Sequence, residues 1–230
     1  MNSIQVSRPL WIAVVACSAG LAAFQSQALV FEYSSVPGSS IVFTGSGTLA
    51  EVSFNPSVGY NFQIDNVKDG TGSAVGYKGT FNGSWTMGPV SMVTVVPLVQ
   101  SAPVSGVGTL TIRDSANFEL TASVAWVTAV GLKTIGFPII GFSGNITSVS
   151  YAGVDPDLLA YSHGSDLDSP LAFTLPNFGA FEPLGGLVSP GVHSTAFSGS
   201  LNAAVPESSH IAAVAGLGLL GFGVWRRNRG

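Results

Sequence analysis

Hydrophobic and polar positions alternate along most of the chain. Tyr60, Phe62 and Ile64 are separated by Asn61, Gln63 and Asp65, and Tyr77, Phe81, Trp85 and Met87 are interleaved with Lys78, Thr80, Asn82, Ser84 and Thr86. Phe118, Leu120, Ala122, Val124 and Trp126 share a face opposite Glu119, Thr121 and Ser123. A two-residue period sends successive side chains to opposite faces of a strand, so each run predicts one face on a core and one in water. Val93 to Val96 is apolar on both faces apart from Thr94, which predicts a more buried strand. Turn formers punctuate these runs at Asn55-Pro56-Ser57, Lys68-Asp69-Gly70-Thr71-Gly72, Arg113-Asp114-Ser115-Ala116-Asn117, Asp155-Pro156-Asp157 and Ser189-Pro190-Gly191. The pattern predicts an all-β body, a single β-sandwich-like domain of roughly ten to twelve short strands with no long helix.

The same alternation assigns Tyr77, Phe81, Trp85 and Trp126 to the core rather than to an exposed platform for stacking sugar rings. A faint echo, Phe43-Thr44-Gly45, Phe142-Ser143-Gly144 and Phe197-Ser198-Gly199, lacks the fixed period of a repeat protein. It predicts recurrent strand chemistry, with glycine where a bulge or a neighbouring aromatic crowds the backbone.

Both ends break the pattern. Arg8 and then an apolar stretch, Leu10 to Phe24, lead to Ser26-Gln27-Ala28, with small residues at the −3 and −1 positions of a signal-peptidase site. Residues 1–28 are therefore expected to be a signal peptide removed after Ala28, and residues 29–204 the exported domain. At the other end Ile211 to Trp225 is wholly apolar or glycine, followed by Arg226, Arg227 and Arg229. Without a polar face this run predicts a C-terminal hydrophobic helix in the membrane, short for a hydrocarbon layer of about 30 Å. The arginines would stop it at the cytoplasmic side.

Val205-Pro206-Glu207, a short polar spacer, the glycine-rich apolar run Ala215 to Phe222 and Arg226-Arg227 together resemble the PEP-CTERM sorting signal of Gram-negative bacteria. The likeness covers residues 205–230, with Ser208 where the second proline of the family motif falls. It implies recognition by an integral-membrane exosortase that cleaves near the Pro-Glu motif, after signal peptidase has acted at the other end. It also implies tethering to the inner membrane in transit and then a place at the cell surface or in the extracellular matrix, beside exopolysaccharide or biofilm.

Charge narrows the partners of the body. Between Leu29 and Val205 eleven carboxylates face four cations, Lys68, Lys78, Arg113 and Lys133, a net of −7. Nucleic acid is a poor partner for such a surface, because its phosphates are held by clustered lysine and arginine; neutral glycans, cations and other proteins remain. Cys17 is the sole cysteine and falls in the expected signal peptide, so the exported chain would hold no disulfide, thiol nucleophile or cysteine-ligated metal.

Catalytic motifs are missing: there is no Gly-x-Ser-x-Gly, His-Glu-x-x-His, phosphate-binding loop or EF-hand. The expectation is accordingly a non-enzymatic surface protein without a cofactor. His163 or His193 could join a serine and an aspartate only through the fold. Asp155, Asp157, Asp166 and Asp168 form the densest acidic stretch and could offer hard oxygen ligands to calcium; aspartate beside proline and glycine more often makes a solvated turn, the favoured expectation here. Two alternatives to a structural role stay open: a carbohydrate-binding module, which needs an exposed aromatic surface, and a polysaccharide hydrolase, which needs two carboxylates facing across a cleft.

Overall fold

The alternating segments form strands, and the computed structural model describes residues 27–94, 99–132, 139–168, 171–174 and 183–205. In chain order the strands are β1 (Gln27–Ser35), β2 (Ser40–Gly45), β3 (Ala50–Asn55), β4 (Phe62–Lys68), β5 (Lys78–Asn82), β6 (Ser84–Met87), β7 (Ser91–Thr94), β8 (Val99–Ser105), β9 (Gly108–Arg113) and β10 (Glu119–Leu132). They continue with β11 (Ile139–Tyr151), β12 (Ser165–Asp168), β13 (Leu171–Thr174), β14 (Gly191–Thr195) and β15 (Ser198–Val205). Two short helices join them: α1 (Pro156–Ser162) after β11, and α2 (Pro183–Val188) before β14.

The fold is all-β, but the expected sandwich of two separate sheets is corrected. Strand pairing runs β1–β4–β5–β9–β10–β11–β13–β15 and returns from β15 to β1, closing eight strands into a barrel. The remaining strands are extra. β14, β2, β3 and β6 form a flanking sheet, joined through the end of β8, and β7 pairs with β8. Closure relies on the two longest strands. β10 pairs with β9 over Glu119–Val124 and with β8 over Thr128–Leu132, while its other edge follows β11 throughout, with irregularities at Thr121/Ser123 and Trp126/Thr128. Bulges of this kind bend and twist a strand, which lets one strand serve two neighbours. Alternation reports which face is buried and says nothing of which neighbour is paired, so closure was not legible.

The buried faces meet in one aromatic cluster. Trp126 lies 4.4 Å from Trp85 and 5.6 Å from Phe81 between ring centroids, and Phe54 of the flanking sheet reaches Trp126 at 5.3 Å. Trp85, Phe81 and Trp126 are all buried, as their alternation predicts. Glycines in the strands make room for these rings: a Cβ on Gly108 would stand 2.2 Å from Trp85, and one on Gly144 2.2 Å from Trp126. Phe43, Phe142 and Phe197 of the echoing segments are all buried too. Four details depart from expectation. Val93 is exposed on β7 although its run predicts a more buried strand, and Tyr77 is half-buried at the margin of the core rather than within it. The run Tyr77 to Met87 is broken at Gly83, so β5 joins the barrel and β6 the flanking sheet; Phe118 is exposed, just before β10 begins.

Ala28–Val205 forms one compact unit. No helix among the described residues is long and apolar enough to cross a membrane. The expected C-terminal hydrophobic helix lies outside the described residues, as does most of the expected signal peptide.

Candidate functional site

Three of the turns that stand apart in the sequence come together in the fold: the β4–β5 loop around Asp69–Tyr77, the β9–β10 turn around Arg113–Phe118, and the start of α1 at Asp155. Asp155 is the N-cap of α1. Its Oδ1 accepts from the N–H groups of Asp157 at 3.1 Å and Leu158 at 3.0 Å, and Pro156 follows in the first turn, where a missing N–H costs nothing. Its Oδ2 accepts from the Tyr77 hydroxyl at 3.0 Å, tying the β4–β5 loop to the helix.

Asp157, one step inside the helix, holds the same loop from below. Its Oδ1 accepts from the Thr71 N–H at 2.6 Å and the Thr71 hydroxyl at 2.8 Å, and its Oδ2 from the Ala74 N–H at 3.2 Å. The side chain is 1% exposed. Burial pushes its carboxyl upward, but these donors outweigh burial and hold it below the ordinary carboxylate value. The backbone must come close for this: a Cβ on Gly70 would stand 2.7 Å from the Asp157 Oδ1.

Asp114 organises the third turn. Its Oδ1 accepts from the N–H groups of Ala116 and Phe118, each at 2.8 Å, and its Oδ2 from the Tyr151 hydroxyl at 2.5 Å. The Tyr151 oxygen in turn accepts from the Asp155 N–H at 3.1 Å, which closes a circuit from the β9–β10 turn to the helix cap. Desolvation first, and then the bond to Asp114, push the Tyr151 hydroxyl up to about 12.

The solvated acidic loop expected at residues 155–168 is therefore corrected in its first half. Asp155 and Asp157 are buried and saturated with donors, because a helix cap and a loop anchor take the place of water. Asp168 accepts from the Asn202 Nδ2 at 2.6 Å, and Asp166 lies on β12. No cluster of three or more His, Cys, Asp or Glu suited to a metal is found among the described residues. His163 ends α1, its N–H donating to the Leu159 carbonyl, and His193 lies on β14 opposite Phe43 of β2. Ala28 is exposed on β1 and Val205 ends β15. Ser26, Pro206, Glu207, Arg226, Arg227 and Arg229 lie outside the described residues.

Above this junction opens a shallow depression of about 410 Å³, bordered by Tyr60, Tyr77, Lys78, Arg113, Asp114, Ser115 and Asn117 with Val75 and Gly76. Lys78 and Arg113 stand directly opposite each other across the β5–β9 pair. The Lys78 ammonium lies 5.8 Å from the centre of the Tyr60 ring, and among the described residues no carboxylate pairs with it. Arg113 is paired with Glu119, its cross-strand neighbour on β10. The bond to Glu119 first, and then the neighbouring Tyr60, hold the Arg113 guanidinium above its ordinary value. Asn117 takes a left-handed backbone, φ 68°, which turns the chain at the rim. Sequence reasoning missed this group. The available signal was the position of Lys78 and Arg113 in a body with only four cations.

Fold and site thus define an all-β closed barrel with a flanking sheet and a cationic, tyrosine-bordered depression over a buried carboxylate network. Compared with known proteins, the chain matches no protein-family model, no curated protein and no solved structure.

Proposed function

We propose that the chain is an exported cell-surface or extracellular-matrix protein, sorted through its C-terminal tail by an exosortase, with the β body as its working part. The observation that carries this reading is the order of Pro206-Glu207, the apolar run Ile211 to Trp225 and the three terminal arginines, opposite a signal-peptide pattern ending at Ala28. In this reading residues 205–230 hold the chain at the inner membrane through a hydrophobic helix until cleavage, and the body then faces extracellular polysaccharide. The compactness of Ala28–Val205 supports it, since removal of both ends would leave that unit nearly whole. Intact mass of the protein from native cells, with and without the exosortase, tests it. Loss of Met1–Ala28 together with the residues after about Glu207, the latter only when the exosortase is present, is the expected result. An intact C-terminus in both strains would overturn sorting and leave a tail-anchored protein.

A second reading is that the body binds carbohydrate, favoured by the depression where Tyr60 and Tyr77 stand beside polar side chains. It ranks ahead of hydrolysis by the acidic stretch. A hydrolase needs carboxylates free to face a substrate, whereas Asp155 and Asp157 point at backbone donors.

A further inference from the structure

We infer that the depression between the β4–β5 loop and the β9–β10 turn binds a single carboxylated sugar unit, with the carboxylate between Lys78 and Arg113 and the ring against Tyr60. The inference rests on the reading of the body as a glycan-facing surface domain and adds the ligand's chemistry.

The cations carry the first step. Like charges directly opposite on paired strands work against folding, yet Lys78 and Arg113 are so placed in a body whose net charge is −7. Sequences break such local rules where a site requires it. Arg113 uses Nε and Nη2 on Glu119 and also lies against Tyr60, while the Lys78 ammonium lies over the Tyr60 ring with no carboxylate paired to it among the described residues. Two donors of positive charge a strand apart suit the two oxygens of one carboxylate.

The second step excludes other anions. β5 and β9 are each paired on both edges, so a peptide has no strand edge to join here. A dense polyanion such as nucleic acid would meet two cations and then an acidic surface. A lone acidic sugar in an otherwise neutral glycan avoids that repulsion. Ser115 and Asn117 offer hydroxyl and amide groups to its hydroxyls, and Tyr60 offers a ring face. The support below is rigid: Asp114, Asp155 and Asp157 fix all three turns, so little order has to be gained on binding.

The test is calorimetric titration of the full chain, in mild detergent, with a glucuronate-terminated oligosaccharide, with its carboxyl-reduced counterpart and with acetate. The acidic sugar is expected to bind saturably and about tenfold more tightly than the neutral one, with acetate silent. Lys78→Gln should remove that preference and Lys78→Arg should keep it, while Tyr60→Ala should weaken both sugars. Thermal melting should put neither Lys78 variant below the wild-type midpoint, since the side chain is exposed and Lys78→Gln only relieves the repulsion with Arg113. Acetate binding as well as the sugar would reduce the site to a simple anion site and overturn the inference, as would equal binding of both sugars, binding of neither, or a Lys78→Gln variant that keeps the preference. Intact mass of the protein from native cells, with and without the exosortase, separates the two readings: a processed native chain whose body shows no sugar preference sinks only this inference, and an unprocessed native chain whose body shows it sinks only sorting.

Discussion

The aromatic centre of the barrel and the turn junction at α1 are both buried, but they are held by different physics. Around Trp126 the contacts are rings at 4.4 to 6.0 Å, and each loss is a loss of volume filled. Around Asp157 the contacts are hydrogen bonds from Thr71 and Ala74 to one carboxylate, and what is lost is the partner of a buried donor. Packing is indifferent to pH over the ordinary range, whereas the junction carries titratable groups at its centre. The barrel core sets how stable the body is, and the junction sets how stability depends on pH and how firmly the depression above is shaped.

The strongest way to break this comparison is through the rings. Trp126→Ala should cost about 3–5 kcal/mol in denaturant unfolding, and Gly144→Val, which drives a side chain into the same indole, should cost about 3 kcal/mol. Neither should alter the pH dependence. Asp157→Ala should cost less, about 2–3 kcal/mol, because it strands the Thr71 and Ala74 N–H groups. It should also flatten part of the acid limb. The carboxyl is depressed in the folded state, so its stabilisation is present above the unfolded value near ~3.9 and is lost as pH falls through the lower folded value. A melting midpoint measured from pH 7 to pH 2 in both proteins checks this; parallel curves would show that Asp157 contributes no linkage.

Tyr151→Phe probes the alkaline side with a smaller cost, about 1 kcal/mol at neutral pH. The Tyr151 proton is held more tightly in the folded protein, up to about 12, so stability falls as pH rises from the unfolded value near ~10 to that point. The Phe variant should lack that decline. The smallest effect belongs to the exposed pair Glu32–Lys68 across the β1–β4 ladder, where Glu32→Gln should leave the melting midpoint unchanged within error at ordinary salt.

Packing was largely legible in the sequence because alternation is local. Leu120, Ala122, Val124 and Trp126 can be assigned to a core without knowledge of any partner strand, and they are buried. The glycines of the echoing segments were legible as close approaches, as Gly144 beside Trp126 bears out. The junction was legible only in pieces. Each of its three turns is marked by Asp beside Gly, Pro or Ser, but their meeting depends on the strand order β4–β5–β9–β10–β11, which no periodicity encodes. Hence Asp155 and Asp157 pointed to water or calcium when they bind backbone, and Lys78 and Arg113 gave no sign of facing each other. The Pro-Glu and arginine pattern of the tail lies outside the described residues and belongs to neither region.

The barrel closes where β15 meets β1, so the last strand of the body is the neighbour of the first. A chain that emerges amino end first, whether from a ribosome or through a membrane, therefore carries an open seam until residue 205 is clear. Until then β1 presents an unpaired edge, and a high separation between its ends makes the closing step slow. Timing is thus written into the strand order: the barrel can close only when its last strand is free to meet its first.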